Sequence, residues 1–174
     1  MQQDTDGSGQ CLSAGVTKNI IMDLVELLMS EHASLRIYFR HLRDMRFDSF
    51  FELDDFVINC HARTEDEALF PALDVPTKRL QTEHEVLKML SNGIRVSMAE
   101  EKSELDKNKV ALYADTLESH NTSEEKTVFK DWGQVSKDKR EKASTQALEI
   151  IRSFGLERYL RITGFSSELL SLLQ

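Results

Sequence analysis

Four long stretches of the chain repeat apolar residues at alternating spacings of three and four, the mark of a helix with one buried stripe. The first covers about 18–44, with Thr17 as its expected cap and a seam of Ile21, Val25, Leu28, His32, Leu35, Phe39 and Leu42. The second covers about 48–70, capped by Asp48, with Leu53, Val57, His61, Thr64/Glu65 and Ala68 along one side. Pro71 and Pro76 bracket the loop that follows. The third covers about 77–99 through Leu80, His84, Leu87, Ser91, Ile94 and Met98, and Asn92-Gly93 marks a weak point where it is expected to bend. The fourth covers about 105–130 through Val110, Tyr113, Leu117, His120, Glu124 and Thr127/Val128, and Trp132-Gly133 ends it.

Four helices of this length on short loops predict an all-α, antiparallel up-down four-helix bundle over 17–132. Residues 1–16, rich in Ser, Gly, Gln and Asp, predict a flexible tail. The segment 133–174 predicts a C-terminal helical extension: one helix at about 136–154, stopped by Gly155, then short pieces at Leu156–Ile162 and Ser166–Leu173. Its apolar series, Ala147, Leu148, Ile151, Phe154, Leu160, Leu169, Leu170 and Leu173, can cap the bundle or serve a homo-oligomer or protein partner.

Composition supports helix and narrows the function. The 174 residues include only two prolines and seven glycines. A net charge of −8 argues against nucleic acid as a partner. No apolar run reaches the roughly 20 residues that cross a bilayer, so no membrane association is expected. The N-terminal residues lack the basic start and apolar middle of a secretion signal, and a cytoplasmic location is expected. Two cysteines make no disulfide framework. Cys60 reads as a buried, inert thiol, and Cys11 falls in the tail.

The seams contain residues that do not belong in a core. Two phrases repeat in order: Glu31-His32-x-x-Leu35, then His61-x-x-x-Glu65-Asp66, then Glu83-His84-x-x-Leu87, then His120-x-x-x-Glu124-Glu125. A phenylalanine follows each of the second phrases, at Phe70 and Phe129. On a helix, i and i+4 share a face, so each HxxxE points an imidazole and a carboxylate at one spot. A single core histidine usually has an ordinary packing role, but four, one on each helix, with two glutamates in register, do not fit that reading. At 1.5 Å rise per residue, His32, His61 and His120 lie about 15, 13 and 15 residues into their helices and near mid-height, and His84, about 7 residues in, needs its helix offset.

Burying six such groups without compensation is costly, and a bound cation removes that cost. Imidazole and carboxylate without thiolate suit iron or manganese better than a structural zinc site, with zinc left open. Six ligands on one ion is one arrangement, but two ions sharing both carboxylates match the two-fold repeat better, with room for an oxo or hydroxo bridge, water or a small ligand.

This arrangement resembles the hemerythrin-like family, the HHE cation-binding domains, over about 18–132. The resemblance implies metal ligands at His32, His61, Glu65, His84, His120 and Glu124 and a non-haem di-iron centre of two Fe ions. The family's oxygen carriers have a fifth histidine near the third-helix ligand, where this chain has Leu80 and Lys88, and they place the last acid where Glu125 stands. The four-His, two-Glu pattern is closer to the branch of iron-centre repair proteins and of iron or oxygen sensors.

Glu125 stands as the alternative ligand to Glu124. Asp66 and Glu67 face solvent or tune the site from outside it. Glu31 and Glu83 read as solvated helix face, His41 as surface, Tyr113 as packing, and Tyr38 has no assigned part. Phe70 and Phe129 are expected to close the bundle end against water, and the run Lys137–Lys142 to face solvent. The expected function is binding or sensing of O2, NO or a peroxide, or handling of iron. The alternatives are an enzyme that reduces NO or peroxide or donates iron to damaged iron–sulfur centres, and a metal-stabilised interaction scaffold.

Overall fold

The computed structural model describes residues 22–41, 47–101 and 107–173. The predicted tail, the cap Thr17 and the seam residues Ile21 and Leu42 lie outside the described residues. Helix α1 runs Leu24–His41. It begins later than the pattern suggested, because Asp23 and Glu26 form a reciprocal cap. The Asp23 N–H donates to Glu26 at 2.9 Å and the Glu26 N–H to Asp23 at 2.8 Å, satisfying two free N-terminal donors.

Helix α2 (47–72) is continuous but not uniformly α. Its first part, Phe47–Phe56, starts one residue ahead of the expected cap Asp48. Two wide π turns follow, Val57–His61 and Glu65–Leu69, separated by Ala62–Thr64. They close through Ala62 N–H to Val57 O and Phe70 N–H to Glu65 O, each spanning five residues instead of four. The last turn, Phe70–Ala72, contains Pro71, which therefore does not stop the helix. The register shift of the preceding π turn already interrupts the α ladder that a proline would obstruct.

Helix α3 runs Lys78–Glu101 without interruption through Asn92-Gly93. Gly93 is exposed, with open space where a Cβ would lie, so its flexibility is tolerated rather than used. Helix α4 runs Lys107–Thr127 and passes into a 3-10 turn, Phe129–Gln134. Neighbours follow the order α1, α2, α3, α4 and back to α1. The predicted seams form the core, with Leu28, Leu35, Leu53, Val57, Leu80, Leu87, Ile94, Val110 and Leu117 all buried.

The C-terminal tract docks on this bundle. Helix α5 (Lys137–Phe154) lies along both α1 and α2 and buries Ala143, Ala147, Ile150 and Ile151. Gly155, at φ 108°, turns the chain into α6 (Leu156–Thr163), and a capped short helix α7 (Ser167–Leu170) follows. The Tyr38 hydroxyl donates to Ile162 O at 2.8 Å and Ser34 Oγ to Thr163 O at 3.0 Å, fixing α6 to α1. The Met22 N–H donates to Leu172 O at 2.9 Å, so the start and end of the described chain meet. Lys137, Lys139 and Lys142 face solvent, as expected.

Candidate metal centre

One turn of each bundle helix supplies the site. His32 comes from α1, His61 and Glu65 from α2, His84 from α3, and His120 and Glu124 from α4, and all six are buried. Their potential ligand atoms form two groups, His32/His61/Glu65/Glu124 and Glu65/His84/His120/Glu124, each within 4.8 Å. Glu65 spans them: its Oε1 is 3.6 Å from His32 Nε2 and 3.5 Å from His61 Nε2, and its Oε2 is 3.2 Å from His84 Nε2. Glu124 spans them likewise, with Oε2 3.5 Å from His32 Nε2 and Oε1 3.3 Å from His120 Nε2. Every one of these inward atoms, four Nε2 and four carboxylate oxygens, is buried without a hydrogen-bond partner.

That is the test of fit for a cation. Each orphaned polar atom costs on the order of 1–3 kcal/mol. A sequence does not concentrate such atoms at one point unless a bound group satisfies them. The donor set is nitrogen and carboxylate oxygen, with no thiolate, as suits iron or manganese. Cys60, buried beside His61, is not part of either group.

A second ring of carboxylates surrounds the first. His61 Nδ1 donates to Glu31 at 2.7 Å, His84 Nδ1 to Asp66 at 3.0 Å, His120 Nδ1 to Glu83 at 2.9 Å and His32 Nδ1 to Glu125 at 2.9 Å. Each helix thus offers one acid to the histidine of the next, and the circuit closes from α4 to α1. A proton held on Nδ1 leaves Nε2 as a lone pair facing inward, the tautomer a metal ligand needs. Two phenylalanines back the same rings: Phe129 stacks on His32 at 5.3 Å and Phe70 on His84 at 5.9 Å.

The electrostatics are those of a site built for positive charge. Burial opposes a charged His61, but Glu65 and the Glu31 hydrogen bond outweigh it and push it up to about 9. Burial likewise opposes a charged His84, and its hydrogen bond to Asp66 and the nearby Glu65 charge push it up to about 10. His120 is raised by Glu124 against the same opposition from burial. Burial would raise Glu65, yet His61, His32 and His84 hold it well below the usual carboxylate range. Glu124 is raised, by burial and by the Glu65 charge. Two like charges at one site push one member up. Without a cation, protons neutralise the site; a cation would displace them.

The six residues predicted as ligands come together, His84 included, and the expected offset of the third helix is not needed: α1 starts at Leu24 and α3 at Lys78, so His32 and His84 lie at similar depth, eight and six residues in. Glu125 lies outside the cluster, bonded to His32 Nδ1 and to Arg36 at 2.6 Å. The reading of Glu31 and Glu83 as solvated helix face is overturned. Glu31 is buried and Glu83 half-buried, and each bonds a histidine on the next helix rather than its own neighbour in sequence. Asp66 has the tuning part, whereas Glu67 pairs with Arg63 at the surface. His41 is exposed and Tyr113 is buried in the core. Sequence reasoning missed the C-terminal contribution: the Tyr159 hydroxyl donates to Glu31. The repeat itself signalled the outer acids, since His32, Glu65, His84 and Glu124 each have an acid beside them in sequence, but nothing local marked Tyr159.

The hemerythrin HHE cation-binding domain model matches residues 23–132, well over half of the chain and the span of the four bundle helices. No curated protein and no solved structure matches the chain.

Proposed function

Because the chain belongs to the hemerythrin HHE cation-binding domain family, we propose that it is a non-haem di-iron protein that binds or senses a small molecule such as O2, NO or a peroxide. His32 and His61 would hold one ion and His84 and His120 the other, with Glu65 and Glu124 shared. The carrying observation is the set of eight inward-facing nitrogen and oxygen atoms left without partners. Bound metal would supply Lewis acidity, a redox couple and open coordination positions.

The chain's own residues do the rest. The outer acids Glu31, Asp66, Glu83 and Glu125 hold the imidazoles in the ligating tautomer. Phe70 and Phe129 cover two of the rings and limit water. Two histidines and two shared carboxylates per ion leave coordination positions free for a small ligand. Among the described residues no helix is long and apolar enough to cross a membrane.

Metal analysis joined to optical spectroscopy tests the reading. The reading expects about two irons per chain and an absorption spectrum of the oxidised protein that changes on adding NO, O2 or peroxide. Protein that takes up no iron, or whose iron spectrum responds to none of these, would refute it. Catalytic consumption of NO or peroxide by the loaded protein would move the assignment to an enzyme.

A further inference from the structure

The four outer carboxylates are not equivalent. The side chains of Asp66, Glu83 and Glu125 are 26%, 30% and 21% exposed, whereas that of Glu31 is 2% exposed. Glu31 is covered by the C-terminal tract. Tyr159 of α6, fully buried between Phe56 and Phe165, donates its hydroxyl to Glu31 Oε1 at 2.5 Å. The other oxygen, Oε2, accepts from His61 Nδ1 at 2.7 Å. Two hydrogen bonds, shielded from water, therefore connect a helix outside the bundle to an imidazole that faces the cluster. On the same half of the site, Glu125 is gripped by Arg36 as well as by His32. On the other half, Asp66 and Glu83 stand at the water boundary, and Glu83's further contact is the exposed Arg79 at 3.4 Å.

The geometry points to Tyr159 as a positioning residue that makes the two halves of the centre unequal, so that the His32–His61 half retains its cation longer than the His84–His120 half. This rests on the two-cation reading above. The physical reason is the fixing of His61. A carboxylate that bonds Nδ1 sets the ring's tautomer and orientation and makes Nε2 a better donor. Such a bond is stronger and less mobile in a dry, low-dielectric environment than at a water boundary. Tyr159 supplies that environment and occupies the oxygen of Glu31 that water would otherwise take. Asp66 and Glu83 share their hydrogen-bonding capacity with solvent, so His84 and His120 are held less firmly.

The test uses the full chain loaded with Co2+, whose visible bands report ligand geometry, and follows its release to excess chelator. The wild-type protein should bind two Co2+ per chain and lose them in two phases of equal amplitude. His84→Ala should retain the slow phase. Tyr159→Phe keeps the ring and its packing and removes only the hydroxyl. It should speed the slow phase about tenfold, the lower end of effects seen when outer partners of metal ligands are removed. It should also shift the visible bands of that component and leave the fast phase and the helical signal unchanged. Tyr38→Phe removes a comparable hydroxyl bond between α1 and α6 without touching Glu31, and should leave both phases as in the wild type. Saturation at one Co2+ per chain would overturn the two-cation reading and this inference with it. Two ions that leave in a single phase, a slow phase unmoved by Tyr159→Phe, or one moved equally by Tyr38→Phe would overturn the inference alone.

Discussion

Raising the pH of the metal-free protein should destabilise it across a window where most proteins change little. His61 sits at about 9 in the folded chain and His84 at about 10, against about 6.5 unfolded. A histidine whose folded value is raised contributes stability that is complete below about 6.5 and is lost as pH rises toward the folded value, because the native state binds the extra proton. Each pH unit is worth about 1.4 kcal/mol per such group. Between pH 6.5 and 8.5, His61 alone predicts a loss of about 2 kcal/mol, and His84, which shares Glu65 with it, acts in the same direction. The range stops short of the region where the buried Cys60 and Tyr159 would contribute. Urea unfolding of chelator-treated protein, followed by helical circular dichroism at constant ionic strength, reads this directly. Iron-loaded protein should show the opposite trend, since the metal displaces those protons and competes better as pH rises. A metal-free stability that is flat or increases from pH 6.5 to 8.5 would refute the claim that these imidazoles are held as charged partners of Glu65 in the folded core.

Three further predictions follow from the same geometry. Glu124→Ala removes a shared carboxylate and should empty or halve the iron content, whereas Glu125→Ala should keep the stoichiometry and weaken affinity by about 10–100-fold through His32. Metal analysis after competition with a graded chelator separates the two, and equal loss from both variants would contradict the placement of Glu125 outside the cluster. Cys60 is fully buried and burial pushes its thiol up, so in a Cys11→Ser background the folded protein should not react with a thiol reagent until it unfolds. Reaction at the rate of a free thiol in native buffer would count against it. Ile151→Ala on α5 should cost about 2–5 kcal/mol in urea unfolding, and a cost below about 1 kcal/mol would mean that the C-terminal helices do not dock as described.

What the sequence revealed and what it hid follow from the range of the interactions. The seams of the four helices and the in-register HxxxE phrases are local, periodic signals, and they located both the bundle and the cluster. The start of α1 was equally local: Asp23 and Glu26 carry the capping-box spacing, but the apolar Ile21 ahead of them extended the apparent helix. The π turns in α2 were not legible, because a five-residue hydrogen-bond step leaves no mark in residue types distinct from a four-residue one. The first ends at His61 and the second begins at Glu65, where re-aiming side chains matters most. The outer carboxylates were misjudged for a different reason. Glu31 and Glu83 each stand beside a histidine in sequence, but bond the histidine of the following helix, 30 and 37 residues away. Tyr159 lies 128 residues from Glu31, in a tract whose periodicity showed only that it was amphipathic.

Anomalous diffraction at the iron edge, from crystals of the iron-loaded protein, tests the central claim most directly. The account predicts two peaks inside the bundle, one within reach of His32 and His61 and one within reach of His84 and His120, with Glu65 and Glu124 between them. A single peak, no peak among these six side chains, or iron bound elsewhere on the chain would contradict it.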